Sequence, residues 1–389
     1  MKNAPGTNMH IVVDAHLAVK QIDGVARYLL GLLSELPGLD PAIRYTVLTL
    51  PPQESCLPDE LFTRPNVRRV ELNVHGPSPK QHLLIPRLLR ELAPDVYHHP
   101  QYDLPLGVSV PTVITIHDLK YLFHPEFLQK HSRLKSLYIR ASLLRSVKQA
   151  NQVIAVSENT LKDLGRLVAL PARKTSVIHH GIGLAAVPTS APSSLSLDLP
   201  EDFILFVGTR RPHKNLEGLI RALALLRNEY KQNVDLVICG KRYADYRKPE
   251  GVAEELGLQA HTHFLDFLPD AELAALYRRA RALALVSFYE GFGLPLLEAM
   301  AVGTPVVGST VSAIPEIVGD AGLLANPYEP ADIAAKLHLL LSDAQAWRRF
   351  SQAGKIRAND FSWKAVAKAT LNVYITALTP CKNKRSNGK

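Results

Sequence analysis

The stretch that decides the fold is Val286-Ser-Phe-Tyr-Glu-Gly-Phe-Gly-Leu-Pro-Leu-Leu-Glu-Ala-Met300, in which an apolar run leads through a glycine-rich turn into helical sequence. Gly291 and Gly293 let the main chain approach a ligand closely, and Pro295 suits the first turn of a helix. The free amides at such a helix start, together with the helix dipole, attract anions. The stretch therefore predicts a strand, a turn and a helix that hold a phosphate group.

Two glutamates, Glu290 and Glu298, flank this turn. Carboxylates accept the hydrogen bonds that sugar hydroxyls donate. An isolated glutamate usually lies in solvent or favours a helix start, but two of them around a Gly-x-Gly turn favour a ligand role. Leu296 stands where the dinucleotide motif G-x-G-x-x-G requires a third small residue, which argues against a nicotinamide dehydrogenase.

Outward from this stretch, short β-branched or apolar runs alternate with longer segments of helical period. The runs are apolar throughout, as expected for parallel strands covered by helices on both faces. The sequence therefore predicts an α/β protein with two Rossmann-like, doubly wound domains that face a cleft. The predicted strands include His10–Asp14, Tyr45–Leu50, Val113–Ile116, Val153–Val156, Phe203–Val207, Val234–Ile238, Ala282–Val286 and Pro305–Val307.

The length of 389 residues favours two domains, because one hydrophobic core stops growing at roughly 250–300 residues. The segment AAVPTSAPSSLSLDLP, ending at Pro200, has the composition of a linker. We predict a first domain over 1–187, a linker over 188–200 and a second domain over 201–360. A C-terminal helix over 361–379 and a basic tail over 380–389 complete the chain.

A second group of candidate ligands lies in Phe206–Leu216, again between a predicted strand and a helix. It contains Arg210, Arg211, His213 and Lys214, so cations and main-chain amides could bind a diphosphate together. For Arg211, a solvent-exposed side chain is a better explanation than a diphosphate ligand. Lys214 is the preferred ligand.

The formal charge of +9 is unevenly distributed. Residues 201–380 carry 20 basic and 20 acidic side chains, which argues against a nucleic-acid partner. Between Glu126 and Ala150, six basic residues accompany one acidic residue and an apolar helical pattern. Two interpretations remain open for this segment: an amphipathic helix packed on its own sheet, or a peripheral contact with an anionic membrane surface.

The sequence also indicates where the protein is located in the cell and whether it needs a metal ion. Met1–Asn8 lacks the apolar core of a signal peptide, and no apolar run reaches the roughly 18 residues that cross a bilayer, so we expect a cytoplasmic protein. The three cysteines have no metal-ligand spacing, and neither His98-His99 nor His179-His180 has a third ligand nearby. Residues 99–103 are instead expected to border an acceptor entrance. Because no Asp-x-Asp motif occurs, we predict activity without a metal or other cofactor.

The chain resembles the retaining glycosyltransferases of family 4. The resemblance lies in Glu290-GFGLPLL-Glu298, in the following segments to Gly319, and in Phe206–Leu216, which is similar to the family's diphosphate-binding loop. Further similar segments extend it over nearly the whole chain: Gly24–Tyr28, Pro94–His98, Thr115–Leu119, Val156–Glu158 and Val177–Gly181.

This resemblance implies the GT-B fold, with the nucleotide-sugar in the second domain and the acceptor in the first. It implies that Glu298 binds the ribose and that Lys214 neutralises the diphosphate. It implies that Glu290 either contacts the donor sugar or helps to hold the catalytic geometry. Gly24 would lie against the phosphates, and His117 would lie near the reaction centre. The resulting catalytic candidates are His117, Glu290 and Lys214, and the substrate-binding candidates are Gly24, Thr209, Arg210, His213, Lys214, Glu290, Gly291, Phe292, Gly293, Leu294 and Glu298.

Two positions depart from the family pattern. Thr209 stands where many relatives have an arginine. Arg210 or His213 is therefore expected to supply the positive charge of that arginine. Asp23 precedes Gly24 where many relatives have Gly-Gly, which is expected to restrict that loop.

The activity implied is transfer of a hexose, with retention, from a nucleotide-diphosphate-sugar to a hydroxyl of a carbohydrate or lipid-linked saccharide. Mannose from GDP-mannose is preferred over a UDP-hexose. Two alternatives remain open: a nucleotide-sugar epimerase and a non-catalytic sugar-nucleotide-binding regulator. The C-terminal helix is expected to cross back to the first domain and couple the two domains.

Overall fold

The structure is a computed structural model that describes residues 9–20, 23–75, 78–128, 132–182, 199–243 and 245–379. The basic tail, Cys381 and most of the predicted linker lie outside the described residues. The described part of the chain forms two parallel sheets, one on each side of the linker region.

The first sheet has seven parallel strands in the order β3-β2-β1-β4-β5-β6-β7. Strand β1 is central and pairs with β2 on one side and β4 on the other. This reversal of strand order creates a switch point, where ligands of doubly wound sheets bind. The strands are β1 (His10–Asp14), β2 (Arg44–Thr49), β3 (Val67–Glu71), β4 (Val96–His99), β5 (Thr112–Ile116), β6 (Gln152–Ala155) and β7 (Thr175–Val177).

Helices alternate with these strands, as βα units require. Asp23 caps the first helix, because its Oδ1 accepts a hydrogen bond from the Ala26 amide at 2.9 Å. Ser157 caps another through the amide of Thr160 at 3.0 Å. The helices of this domain are α1 (Gly24–Leu39), α2 (Gln81–Leu92), α3 (Lys120–Phe123), α4 (Ser132–Gln149) and α5 (Glu158–Leu167).

The second sheet has six parallel strands in the order β10-β9-β8-β11-β12-β13. Strand β8 lies between β9 and β11, so the strand order of this sheet also reverses beside its first strand. The strands are β8 (Phe203–Val207), β9 (Asp235–Cys239), β10 (Thr262–Leu265), β11 (Ala282–Leu285), β12 (Val306–Ser309) and β13 (Leu323–Ala325). The helices are α6 (Leu216–Asn228), α7 (Lys248–Glu255), α8 (Asp270–Arg279), α9 (Leu294–Val302), α10 (Ile314–Val318), α11 (Pro330–Ser342) and α12 (Ala344–Ala358).

Central strands of both sheets are buried along their whole length, as their mainly apolar sequences predict. Helices cover both faces of each sheet, so the strands have no polar face. The prediction of two doubly wound Rossmann-like domains is confirmed.

The last helix, α13 (Trp363–Leu378), packs on the first domain although it follows the second in sequence. Trp363 lies against Gly31 of α1 so closely that a Cβ on that glycine would overlap the indole ring. The buried Tyr374 hydroxyl lies 2.7 Å from Nδ1 of His98. This helix therefore links the two domains through buried contacts.

Direct contacts also join the two domains across the cleft. Glu316 of α10 accepts hydrogen bonds from the amides of Glu158 and Asn159 at 2.9 and 3.2 Å, at the start of α5. The Tyr289 hydroxyl donates to Asp163 at 2.8 Å. These bonds fix how the carboxyl ends of the two sheets face each other.

The predicted helix over 127–150 begins later than expected. A short 3-10 turn covers Pro125–Phe127, and α4 begins at Ser132. Its apolar side chains divide into two groups. Ile139, Leu143 and Val147 are buried, whereas Leu134 and Leu137 are 78% and 62% exposed.

Candidate functional site

The glycine-rich turn after β11 has the conformation that its sequence predicts. Gly293 adopts φ +110°, in the left-handed region that favours glycine, and α9 begins immediately after it. Pro295 lies in the first turn of that helix. The free amides of α9 therefore lie at the carboxyl edge of the sheet.

Glu290 and Lys214 come together at this edge, although 76 residues separate them in sequence. The Lys214 ammonium donates to Oε1 of Glu290 at 2.6 Å, and the Ser287 hydroxyl donates to the same oxygen at 2.6 Å. The Glu290 amide donates to Ser312 at 2.9 Å. Both side-chain donors use Oε1, which leaves Oε2 to accept a hydrogen bond from a ligand hydroxyl.

Asn215 explains how Lys214 is held in this position. Its backbone is left-handed, with φ 56°, where the short 3-10 turn of Pro212–Lys214 ends. Its side-chain amide donates to the carbonyls of Val286 and Pro327 at 3.0 and 2.6 Å. Sequence reasoning missed this residue. The residue type could have indicated this role, because asparagine tolerates left-handed backbone and its side chain hydrogen-bonds to neighbouring main chain.

Glu298 lies in α9 and is buried, with 3% of its surface exposed. Its Oε2 accepts a hydrogen bond from the Tyr277 hydroxyl at 2.7 Å, and its Oε1 lies 3.6 Å from Arg27. Burial raises the pKa of this carboxyl above its usual value, although the nearby Arg27 charge acts against that rise. Glu298 therefore faces the first domain, and it shares none of the side-chain partners of Glu290.

Arg27 is a further residue of the site that sequence reasoning missed. It lies in α1, one helical turn after Gly24, and therefore on the same helix face. Its guanidinium also donates to Asp270 of the second domain at 3.0 Å. The spacing between Gly24 and Arg27 indicates that both lie on one helix face. It does not predict the contact of Arg27 with the second domain.

The structure does not bring Arg210 to the Glu290–Lys214 pair. The Arg210 guanidinium is buried, donates to the Leu265 carbonyl at 2.8 Å, and stacks over Phe264. Carboxylate oxygens of Glu250 and Asp266 lie 3.7 and 3.9 Å from it. Its Nη2 is thus bonded within the second domain, while its buried Nε has no hydrogen-bond partner.

His213 cannot supply the missing charge either. Burial lowers its pKa far below the usual value, and the positive charges of Lys214, Lys120 and Arg211 lower it further. Its ring is neutral at pH 7 and lies 5.9 Å from Phe127. The structure therefore does not support the expectation that Arg210 or His213 replaces an arginine at Thr209, which lies on the loop after β8.

The turn residues contribute through the main chain rather than their side chains. Phe292 is 5% exposed and packs on His180, with ring centroids 4.7 Å apart. Leu294 is 9% exposed and belongs to the core of the second domain. A Cβ on Gly291 would overlap the carbonyl oxygen of His117, so only glycine permits this contact between the domains.

On the first domain, Gly24 and His117 both face the cleft. Gly24 starts α1, and a Cβ built on it would meet no atom within 4 Å, so the space beside it is open. His117 follows β5 and is partly buried, with its ring 4.9 Å from Tyr28 and 5.3 Å from His180. Burial lowers the pKa of His117 to about 4, so its imidazole is neutral at pH 7.

Residues 99–103 were expected to border an acceptor entrance, but the structure buries His99 and Asp103. His99 lies between Asp14 and Asp103, at 3.1 and 3.2 Å, and all three are less than 5% exposed. His98 points to the opposite face, towards Tyr374, as neighbours in a strand must. Within the described residues, no group of three or more His, Cys, Asp or Glu side chains could hold a metal ion.

The comparisons with known proteins agree with this geometry. Residues 22–186 match the model for Glycosyltransferase Family 4, and residues 190–357 match the model for Glycosyl transferases group 1. The chain is 33% identical over 292 residues to O-antigen chain mannosyltransferase B from Escherichia coli, covering 74% of this chain and 75% of that protein. The chain belongs to glycosyltransferase family 4.

Solved structures share the fold of this family 4 glycosyltransferase. Sucrose-phosphate synthase from Thermosynechococcus elongatus superposes with a TM-score of 0.76 at 21% identity, over 94% of this chain and 98% of that one. HepE from Anabaena in complex with UDP-glucose superposes with a TM-score of 0.72 at 18% identity, over 94% and 99%. The glycosyltransferase therefore has the GT-B fold. None of its described helices is both long and apolar enough to cross a membrane.

Proposed function

We propose that this glycosyltransferase transfers mannose from GDP-mannose, with retention, to a hydroxyl of a lipid-linked or surface-polysaccharide intermediate. The observation that carries this proposal is the Lys214–Glu290 pair beside the helix start of α9. An ammonium and free amides favour a diphosphate, and a carboxylate next to them favours a sugar hydroxyl.

The choice of mannose rests on similarity to a mannosyltransferase of O-antigen chains, at 33% identity. The likeness of fold to a protein solved with UDP-glucose supports the alternative, a UDP-hexose donor. Both donors place a diphosphate at the same helix start. They differ in the base and the sugar, which are bound by other parts of the pocket.

The proposed reaction breaks the bond between the anomeric carbon and the diphosphate oxygen and forms a bond from that carbon to the acceptor oxygen. Both events take place on one face of the sugar, and the departing diphosphate takes the acceptor's proton. Negative charge therefore develops on the diphosphate. Lys214 and the amides of α9 would stabilise this charge, because preorganised donors act best where charge develops.

Thermal shift with a panel of nucleotide-sugars tests the donor, since a ligand of the folded state raises its melting temperature. GDP-mannose is expected to give the largest shift, and a larger shift with UDP-glucose would favour the alternative. Product analysis by NMR then tests the reaction. Transfer to a polyprenyl-linked acceptor with unchanged anomeric configuration supports the proposal. Conversion of the donor to another nucleotide-sugar without acceptor would show an epimerase instead.

We also propose that α4 contacts the cytoplasmic face of an anionic membrane, where a lipid-linked acceptor would be found. Leu134, Leu137 and Tyr138 are 78%, 62% and 49% exposed, and Lys135 and Arg140 are exposed beside them. Exposed apolar and basic side chains on one helix favour an anionic lipid surface.

Sedimentation with phosphatidylglycerol vesicles tests this contact. Leu134→Gln with Leu137→Gln should reduce binding to these vesicles, whereas Ile356→Gln is the matched control, because Ile356 is 62% exposed on α12 of the other domain. Equal binding of all three proteins would contradict the role of α4.

A further inference from the structure

Lys120 is a cation that the sequence resemblance does not assign, and it lies at the start of α3 in the first domain. Its Nζ donates to Oδ2 of Asp118 at 2.7 Å, and its amide donates to Oδ1 of the same carboxylate at 3.3 Å. The side chains of Lys120 and Asp118 are only 19% and 32% exposed. The ammonium is therefore held in a fixed place rather than extended into solvent.

This ion pair lies against the turn of the second domain. A Cβ built on Gly291 would come within 2.9 Å of Cβ of Asp118, so the two segments touch beside Glu290. Burial by itself lowers the pKa of Lys120, but the charges of Asp118, Tyr121 and Glu290 outweigh that effect and raise it. Lys120 is thus charged at pH 7, and the Glu290 carboxylate contributes to keeping it so.

Each domain therefore contributes one ammonium group to the region where Asp118 meets the turn at Gly291. Lys214 belongs to the second domain and bonds to Glu290 directly. Lys120 belongs to the first domain, and it also lowers the pKa of His213, which immediately precedes Lys214. An ammonium has three protons, so Lys120 retains donors for a ligand after bonding to Asp118.

We propose that Lys120 binds the diphosphate of the donor from the first domain and supplies the charge that Thr209 lacks. The inference rests on the proposed function, because it requires a diphosphate beside Lys214. Arg210 bonds to the Leu265 carbonyl, and burial lowers the pKa of His213, so Lys120 is the stronger candidate for this role. Because Lys120 belongs to the other domain, its charge reaches the diphosphate only while the two domains are in contact.

Calorimetry with GDP and GMP tests this binding, because the two nucleotides differ by the phosphate that Lys120 would contact. Lys120→Met should weaken GDP binding roughly 10- to 100-fold, the usual value of a hydrogen bond to a charged group, and leave GMP binding unchanged. Lys120→Arg should restore part of the loss. Lys162→Met is the control, since Lys162 is exposed on α5 of the same domain.

Asp118→Asn separates diphosphate binding from a merely structural role. If Lys120 only holds Asp118 in place, both variants break the same ion pair and weaken GDP binding alike. If Lys120 binds the diphosphate, Asp118→Asn keeps an ammonium that can still donate to it, so most of the preference for GDP over GMP is retained. Asp118→Asn decides the question even where Lys120→Met does not fold.

The failure of this inference can be told from failure of the proposed function. A wild-type protein that binds GDP no better than GMP, and UDP no better than UMP, would overturn the diphosphate site itself. A wild-type protein that prefers the diphosphate, with the same preference in Lys120→Met, would overturn only the role of Lys120.

Discussion

Arg27 of the first domain places Nη1 3.6 Å from Oε1 of the buried Glu298 in the second domain, and its Nη2 donates to Asp270 at 3.0 Å. The carboxylate predicted to bind the ribose therefore lies where the two domains meet. Its environment is set by a residue from the opposite side of the cleft.

Glu298→Ala should weaken donor binding at least tenfold, because the ribose would lose a charged hydrogen-bond acceptor. Arg27→Ala should weaken it by a smaller factor, since Arg27 acts through the carboxylate. Calorimetry with the nucleoside diphosphate measures both. Glu254→Ala, on an exposed position of α7, is the control. Unchanged affinity in a folded Glu298→Ala protein would refute the ribose role.

Lys214→Ala should reduce turnover by roughly 10²–10³-fold, because the leaving diphosphate would lose a preorganised donor. Arg211→Ala is the matched control from the same loop, where the Arg211 guanidinium stacks on Tyr243 at 3.4 Å. Single-turnover rates at saturating donor compare the two variants. Near-wild-type rates for Lys214→Ala would remove this residue from the mechanism.

Arg210→Met should behave differently from Lys214→Ala, since it affects folding more than turnover. The substitution leaves the Leu265 carbonyl and the Glu250 carboxylate without the Arg210 guanidinium, at a cost of about 1–3 kcal/mol in unfolding free energy. Urea denaturation measures this loss. A stable Arg210→Met protein that has lost turnover would instead place Arg210 at the diphosphate.

Gly291→Ala should abolish most activity, because the new Cβ would overlap the His117 carbonyl and separate the two domains beside Glu290. Gly251→Ala provides the control: Gly251 lies in α7, and its new Cβ would meet nothing within 4 Å. That control should be active and slightly stabilised, as alanine favours a helix over glycine. Comparable activity in the two variants would show that the domains do not need this contact.

The sequence predicted the buried parts of the fold better than its edges. Strands such as β1, β5 and β8 are mainly apolar because helices cover both their faces. The described strands absent from that prediction include β3, β10 and β13, which lie at the edges of the two sheets. Val67–Glu71 is half exposed and includes two arginines, so it lacks the pattern of a covered strand.

The candidate site divides in a similar way. Glu290, Gly293 and Lys214 follow from local signals, since each lies where a strand ends and a helix begins. Arg27 and Lys120 contribute from the opposite domain, and the sequence does not encode the placement of one domain against the other in any local pattern. Contacts that depend on this placement became visible only in the structure.

The buried histidine His99 gives the first domain a pH-dependent stability. Burial alone would lower its pKa, but hydrogen bonds to Asp103 and Asp14 and their charges raise it to about 9. A group whose folded pKa is raised stabilises the fold below its unfolded pKa of about 6.5 and loses that effect as the pH rises through 9. The contribution of His99 to the unfolding free energy should therefore fall between pH 6.5 and 9, by at most ~3 kcal/mol.

Urea denaturation of wild type and His99→Gln at several pH values isolates this contribution. Burial also raises the pKa values of the Cys56 and Cys239 thiols, to about 11 and about 12, so both destabilise the fold near pH 9 and above. They act equally in both proteins, and their effect cancels in the difference. That difference should shrink as the pH rises from 6.5 to 9. A constant difference would mean that His99 is neutral between its two carboxylates.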